Sequence, residues 1–164
     1  MSTQIATKLE LPESAKVWVY QSDRKFTSEE KKLIQNHLNE FVISWSSHGQ
    51  ELKAEYDIAY DQFVILGVDE SASAASGCSI DSSVQIIREL EQNLNLNLLD
   101  KSQVAYLDKD QIKTIDFRKI KEAVSAGEIT PLTPIFSNQV TTHGQLLDNW
   151  LVNAGDSWLQ RFFS

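Results

Sequence analysis

Residues 63–83 read FVILGVDESASAASGCSIDSS, and this stretch decides the fold. Phe63 to Leu66 are apolar at every position, which is typical of a strand buried on both faces. A loop of small residues follows as far as Gly77, and Ser79 or Asp81 can then cap a helix. One face of that helix carries apolar residues at helical spacing, namely Val84, Ile87, Leu90 and Leu94. The stretch therefore predicts an interior strand that leads into an amphipathic helix.

A similar strand and helix precede this stretch. Val17 to Tyr20 is a run of large β-forming residues, which again predicts a strand buried on both faces. Thr27 offers a hydroxyl cap with Glu30 three residues later, the pairing of a capping box. Gly49 is the expected end of the helix. The apolar residues of this helix recur at helical spacing: Leu33, Ile34, His37, Leu38, Phe41, Val42 and Trp45.

Two further segments complete a predicted sheet. Residues 52–60 alternate between apolar and charged side chains, as an edge strand with one wet face does, and a turn follows near Asp61-Gln62. Residues 103–107 predict another strand. The resulting order of strand, helix, strand, strand, helix, strand predicts an α+β fold with a ferredoxin-like split βαβ sheet. In that topology the first and third strands are central, which agrees with their continuous apolar runs.

The rest of the chain predicts strand and helix additions at the C-terminal end. Lys109-Asp110 is a predicted turn, and Asp116 can cap a short helix that ends at Gly127. The inward residues of that helix are predicted to be Phe117, Ile120 and Val124. A strand over residues 135–140 precedes two amphipathic stretches with four large aromatic residues. These either cover the open face of the sheet or form a homodimer or partner interface: Trp150, Trp158, Phe162 and Phe163.

Length and composition predict a single domain over residues 1–164, with residues 1–15 as a polar, mobile lead-in. The one cysteine cannot form an intramolecular disulfide, and the first 14 residues hold no apolar stretch of signal-peptide length. We therefore expect a soluble cytoplasmic protein. The formal charge of −8 repels phosphate backbones and anionic lipids, and no window is apolar enough to span a bilayer. We therefore expect neither a nucleic acid nor a membrane as partner.

Residue spacing argues against the common cofactor sites. The six glycines lie at positions 49, 67, 77, 127, 144 and 155. No two are five apart, as a Walker A loop requires, and no two are two apart, as the GxGxxG loop requires. One cysteine and three histidines form no cluster with zinc-ligand spacing. We therefore expect no cofactor, and we interpret His37, on the apolar face of its helix, as a hydrogen-bonded structural residue.

The candidate functional residues lie where the strand of residues 63–66 leads into its helix. A helix N-terminus presents unpaired N–H groups and the positive end of the helix dipole, which attract anions and can activate a thiol. The candidate nucleophile and bases are Cys78, Asp69, Glu70 and Asp81. The candidate ligand-binding residues are Ser76, Gly77 and Ser79. In the alternative interpretation, Cys78 is a buried small residue beside capping serines, and the nearby acids disfavour a thiolate.

Six short segments that span most of the chain carry a family resemblance. They are WVYQ (18–21), HGQ (48–50), VILGVDE (64–70), SGCSID (76–81), IRELE (87–91) and DSWL (156–159). The chain resembles a family of small bacterial proteins of unknown function whose members are often labelled "ABC transporter ATPase". Because the chain has no Walker A loop, the resemblance implies no established activity, and no catalytic residue follows from it.

Three functional hypotheses follow from the sequence. The first is a non-enzymatic binding or interaction domain, because nucleotide loops and zinc-type clusters are absent while terminal aromatic residues are present. The second is a small enzyme or an anion-binding protein with its site around Cys78 at the helix N-terminus. The third and weakest is a divalent metal bound by the carboxylates of Asp69, Glu70 and Asp81.

Overall fold

The computed structural model of the protein describes residues 9–46, 53–69 and 77–163, without the side chains of Ser46 and of residues 77–82. The described chain contains seven strands and four α-helices. The strands are β1 (Lys16–Gln21), β2 (Lys53–Ala59), β3 (Phe63–Asp69), β4 (Gln103–Asp108), β5 (Gln111–Asp116), β6 (Pro134–Phe136) and β7 (Leu151–Asn153). The helices are α1 (Ser28–Ser46), α2 (Gly77–Leu94), α3 (Ile120–Ser125) and α4 (His143–Asn149). The α+β class predicted from the sequence is confirmed.

The first sheet has the order β1-β3-β2, with both pairs antiparallel. Residues Phe63 to Val68 of β3 are buried on both faces, because β3 is the central strand and every position but Gly67 carries an apolar side chain. Strand β2 lies at the edge, as its alternating pattern predicts. The split arrangement of β1, α1 and β2 around β3 is therefore confirmed.

Strand β4 corrects the predicted topology. A ferredoxin-like sheet would place this strand beside β1, but β4 instead pairs with β5 and β6 in a second antiparallel sheet of order β5-β4-β6-β7. Val104 and Tyr106 of β4 face one apolar cluster while Ala105 faces another, so β4 also requires cover on both faces. At its observed position, the first sheet covers the Ala105 face of β4, and α3 with the C-terminal residues covers the face of Val104 and Tyr106.

Helix α1 starts with the predicted capping box. The backbone N–H of Glu30 donates to Thr27 Oγ1 over 3.1 Å, and the backbone N–H of Thr27 donates to Glu30 Oε1 over 2.9 Å. Ile34 and Leu38 are fully buried against the first sheet, and each contributes about 1.5–3 kcal/mol of hydrophobic stabilisation. His37 is a hydrogen-bonded residue as predicted, with Nδ1 2.9 Å from the carbonyl oxygen of Leu33. Gly49, the predicted helix end, lies outside the described residues.

Two short hairpin turns each contain two consecutive residues with left-handed backbone. Residues 60–62 join β2 to β3, and Tyr60 and Asp61 there have φ of 54° and 55°, so the turn contains the predicted residues Asp61 and Gln62. Lys109 and Asp110 have φ of 50° and 67° and join β4 to β5, which confirms the predicted turn. Strand β5 itself was not predicted, because its side chains alternate without reaching full burial.

Three apolar clusters separate four layers of structure. The first cluster fills the space between the two sheets, the second lies between the first sheet and helices α1 and α2, and the third covers the far face of the second sheet. Trp150 is fully buried in the first cluster, with ring centroids 5.0 Å from Phe63 and 5.1 Å from Phe136. Edge-to-face and tilted aromatic contacts of this kind add stability beyond the buried area.

The terminal aromatic residues therefore divide between two locations. Trp150 covers the face of the first sheet opposite the helices, as the packing alternative predicted. Trp158, Phe162 and Phe163 are partly buried against the third cluster, on the far side of the second sheet. This placement corrects the expectation that they cover the first sheet. Their role in a dimer or partner interface stays a prediction.

The N-terminal segment also requires a correction. Residues 9–15 are not a mobile lead-in, because Leu9, Leu11 and Ala15 are buried. The backbone N–H of His143 donates to the carbonyl oxygen of Ala15 over 2.8 Å, and His143 Nδ1 donates to that of Leu11 over 2.7 Å. Residues 1–8 lie outside the described residues.

The C-terminal additions differ from prediction in two details. Phe117 is exposed, since residues 117–119 form a short 3-10 helix capped by Asp116, and the buried residues, Ile120 and Ala123, lie in the helix after it. Strand β6 covers three residues rather than residues 135–140. Gly127 follows α3 with φ of 78°, as expected of a helix stop. None of the described helices is long and apolar enough to cross a bilayer.

Candidate functional site

The predicted site around Cys78 is described only in part. Strand β3 ends at Asp69, and α2 begins at Gly77, so Cys78 falls in the first turn of a helix that follows a central strand. This confirms the predicted junction between an interior strand and a helix. Ser79 and Asp81 lie inside the helix, which corrects their predicted role as its caps, because α2 begins two residues before Ser79. The remaining candidates, Glu70 and Ser76, lie outside the described residues.

The chemistry proposed for this junction stays a prediction. Asp69 is partly buried and already takes part in an interaction with another group. The side chains of Cys78, Ser79 and Asp81 are not described. Over the side chains that the structure includes, no three His, Cys, Asp or Glu residues lie close enough together to hold a metal ion. The hypothesis of a carboxylate-bound metal therefore finds no support in the described part of the site.

A cleft of about 910 Å³ lies along the outer edge of β1, and we call it the β1 cleft. Its walls come from β1, from Val84 and Arg88 of α2, from residues 98–104, and from residues 136–141, with Trp158 added from the C-terminal region. The cleft occupies the position beside β1 where a ferredoxin-like sheet would hold its fourth strand. It therefore exists because β4 belongs to the second sheet. Its volume lies within the range of small-molecule sites in proteins.

A chain of side-chain hydrogen bonds closes one end of the β1 cleft. Trp150 Nε1 donates to Asn138 Oδ1 over 2.8 Å, and Asn138 Nδ2 donates to Gln21 Oε1 over 2.9 Å. Gln21 Nε2 in turn donates to the carbonyl oxygen of Gln103 over 3.2 Å. The Gln21 side chain, rather than the backbone of β1, thus bonds to the backbone of β4, which keeps the two strands apart and the cleft open.

The other end of the cleft is closed by the backbone. The N–H of Val17 donates to the carbonyl oxygen of Thr141 over 3.0 Å, and Lys16 and Thr142 form an isolated antiparallel bridge. Between the two ends, Trp18, Val19 and Tyr20 are each partly buried and line the cleft.

The charges around the cleft favour an anion. Three bases and one acid line it, in a chain whose overall charge is −8. Arg88 and Lys101 are exposed, and neither has an ion-pair partner among the residues that the structure describes. The acid, Asp100, accepts hydrogen bonds from the hydroxyl and backbone N–H of Ser102, and these lower its carboxyl pKa. Asp100 is therefore ionised and already engaged at neutral pH.

Acid–base chemistry has little support in the β1 cleft. Burial raises the pKa of the Tyr20 hydroxyl above its ordinary value of 10.0, while a hydrogen bond with Ser83 acts in the opposite direction. Tyr20 is therefore protonated at neutral pH. The described lining residues include no histidine and no cysteine. The arrangement can hold a ligand with an apolar body and an anionic group, but it offers no pair of groups suited to proton transfer.

The residues of this cleft were missed from the sequence. Gln21 and Asn138 are 117 positions apart, and no spacing signal connects them. The one available signal was Gln21, a polar residue directly after the apolar run of β1, since a buried polar side chain needs a partner.

Comparisons with known proteins add no assignment. No protein-family model matches the chain, and no curated protein or solved structure shows significant similarity to it. The resemblance to a family of small bacterial proteins stays a prediction.

Proposed function

We propose that this protein is a non-enzymatic, cytoplasmic binding domain whose β1 cleft holds a ligand with an apolar body and an anionic group. The observation that carries the proposal is the combination of a 910 Å³ cleft with two cationic side chains, Arg88 and Lys101, that lack an ion-pair partner in the described chain. Pockets of this size that combine an apolar lining with a few converging polar groups are typical of ligand sites.

The apolar part of the proposed ligand is matched by the lining. Aliphatic and aromatic side chains supply most of the walls, and several of them remain partly exposed to the cleft: Trp18, Val19, Val84, Leu99 and Trp158. Covering these surfaces would contribute about 25 cal/mol for each Å² of apolar area removed from water. The cations would then select ligands whose charge lies at the rim, where an exposed pair contributes about 0.2–1 kcal/mol.

Anilinonaphthalenesulfonate is a suitable probe, because it joins an apolar ring system to one sulfonate. We expect its fluorescence to report saturable binding to the folded full-length chain. Val84→Trp, which places a bulky side chain in the wall of the cleft, should weaken binding, and Arg88→Gln should weaken it by up to about fivefold. Added salt should weaken binding to the wild-type chain, because ions screen the pairing of exposed charges.

Matched controls lie on α1, outside the cleft. Ile43→Trp adds the same side chain at a position that is 70% exposed, and Lys32→Gln removes an exposed base. Both variants should bind the probe as the wild type does. The proposal fails if the folded wild-type chain does not bind the probe, or if Val84→Trp binds it with unchanged affinity.

The hypothesis of a thiol site remains as the alternative. Its support is the position of Cys78 in the first turn of α2, a helix that follows the central strand β3. Arg88 lies ten residues further along α2, about 15 Å away, so this site would be separate from the β1 cleft. The pH dependence of Cys78 alkylation separates this alternative from the binding domain.

A further inference from the structure

The outer edge of β1 carries backbone groups without partners. The N–H of Ser22 donates to the carbonyl oxygen of Gln62. In an antiparallel pair every second residue bonds to the neighbouring strand, so Tyr20 and Trp18, two and four residues before Ser22, also direct their N–H and C=O groups toward β3. The residues between them direct their N–H and C=O groups away from β3, as the bond from the Val17 N–H to the carbonyl oxygen of Thr141 shows. For the N–H and C=O of Val19, no partner exists among the described residues.

The unpaired edge is short and bounded. It runs from the C=O of Val17 to the N–H of Gln21, between the bond to Thr141 at one end and the amide chain at the other. An extended chain rises about 3.3 Å for each residue, so this edge can pair with about three residues of a partner strand. Unpaired edges of this kind are the templates to which peptides add as an extra strand.

Each face of such an added strand would meet different side chains. Trp18 and Tyr20 lie on the side of the helices, where Val84 and Arg88 line the cleft. Val19 lies on the opposite side, with Phe136 and Val140. Because side chains alternate along a strand, neighbouring residues of the partner would face these two sides in turn. The cationic side fits an acidic residue, and the other side fits an apolar residue.

We propose that the β1 cleft binds an extended peptide in which acidic and apolar residues are adjacent, and that this peptide adds to the outer edge of β1 through the backbone of Val19. The inference rests on the proposed function, because it specifies the ligand of the same cleft. It goes beyond that function by naming a protein segment as the partner and the backbone as the main recognition element.

Peptide selection provides the direct test. A library of random heptapeptides displayed on phage is selected against the immobilised full-length chain, and enriched peptides are synthesised. We expect the enriched sequences to share adjacent acidic and apolar residues and to displace anilinonaphthalenesulfonate. Amide hydrogen exchange should show new protection at Val19 on binding, whereas Trp18 and Tyr20, already paired with β3, should change little.

Two substitutions at Val19 separate backbone recognition from filling of the cleft. Val19→Pro removes only the outward N–H, since this residue makes no backbone bond to β3, and should weaken peptide binding about tenfold. Val19→Thr keeps the N–H and the branched shape and changes only a side-chain contact, so it should weaken peptide binding by less than Val19→Pro does. If Val19→Pro does not fold, the exchange protection of Val19 in the wild-type chain decides.

The possible outcomes distinguish this inference from the proposed function. If the sulfonate probe binds but no peptide is enriched, the cleft holds small molecules and the peptide inference is overturned. Enriched peptides that bind Val19→Pro as tightly as the wild type, or that leave Val19 unprotected, overturn it as well. If neither the probe nor any peptide binds, the proposed function fails together with the inference.

Discussion

Replacing Asn138 with alanine removes the middle member of the amide chain that closes the β1 cleft. Asn138 accepts a hydrogen bond from Trp150 Nε1 over 2.8 Å and donates one to Gln21 Oε1 over 2.9 Å. The Trp150 side chain is 0% exposed and Gln21 is 8% exposed. Alanine can make neither bond, so the substitution leaves two polar atoms without their partners.

The expected loss follows from the burial of these two atoms. A buried polar group without a partner costs about 1–3 kcal/mol. The indole N–H of Trp150 should incur this cost in full, whereas Gln21 lies beside the cleft, where water can replace part of the lost bond. The free energy of unfolding should therefore fall by about 2–4 kcal/mol. In a chain of this length, that loss corresponds to a decrease in melting temperature of about 4–16 °C.

Urea unfolding followed by tryptophan fluorescence measures this loss. Asn153→Ala is the matched control, because Asn153 is exposed and its side chain makes no capping bond; it should change stability by less than about 0.5 kcal/mol. A double-mutant cycle with Trp150→Phe isolates the bond between Asn138 and Trp150 from the cavity that phenylalanine creates. The coupling should be about 0.5–3 kcal/mol.

Two results would refute this reasoning. If Asn138→Ala is as stable as Asn153→Ala, the amide chain does not stabilise the fold. If the cycle gives no coupling, the indole N–H has another partner in the folded protein.

Four further predictions concern other parts of the molecule. Hydrogen bonds from Arg24 and Thr27 lower the pKa of Glu30 to about 2 from its ordinary value of 4.5, so stability present above pH 4.5 should be lost as the pH falls toward 2. This loss should amount to about 1 kcal/mol, because Arg24 is 45% exposed and water weakens the ion pair. Urea unfolding of Glu30→Gln at several pH values should not show it. If Cys78 is structural, its alkylation rate should follow a titration at about pH 8.5 or be negligible, and a midpoint below pH 7 would instead favour the thiol site. Gly127→Ala should lower the free energy of unfolding in urea by about 1 kcal/mol, because a φ of 78° is unfavourable for alanine. No steric clash adds to this cost, since no atom lies within 4 Å of the added carbon, so a loss above about 3 kcal/mol would contradict the reasoning. Light scattering should give the monomer mass of 18.6 kDa, since the terminal aromatic residues pack within their own chain, and twice that mass would support the dimer interface.

Features encoded within a few residues were predictable from the sequence. The capping box of α1 needed only the spacing of Thr27 and Glu30, because a cap satisfies backbone groups three positions away. The turn at Lys109-Asp110 and the burial of β3 likewise follow from local composition and periodicity. Arg24, which strengthens the cap through Glu30, lies outside the capping-box pattern and was not predicted.

The arrangement of the strands was decided by tertiary structure alone. The sequence indicated that residues 103–107 form a strand, but both the edge of β1 and the second sheet could satisfy its backbone. In the second sheet both faces of β4 are also covered, and that burial depends on side chains far away in the sequence, such as Phe63 and Leu159. The β1 cleft is a consequence of this choice, because it lies where the displaced strand would have been. Local hydrogen bonds and periodicity thus determined the elements, whereas the competition between distant burial surfaces determined how they pair and where a ligand could bind.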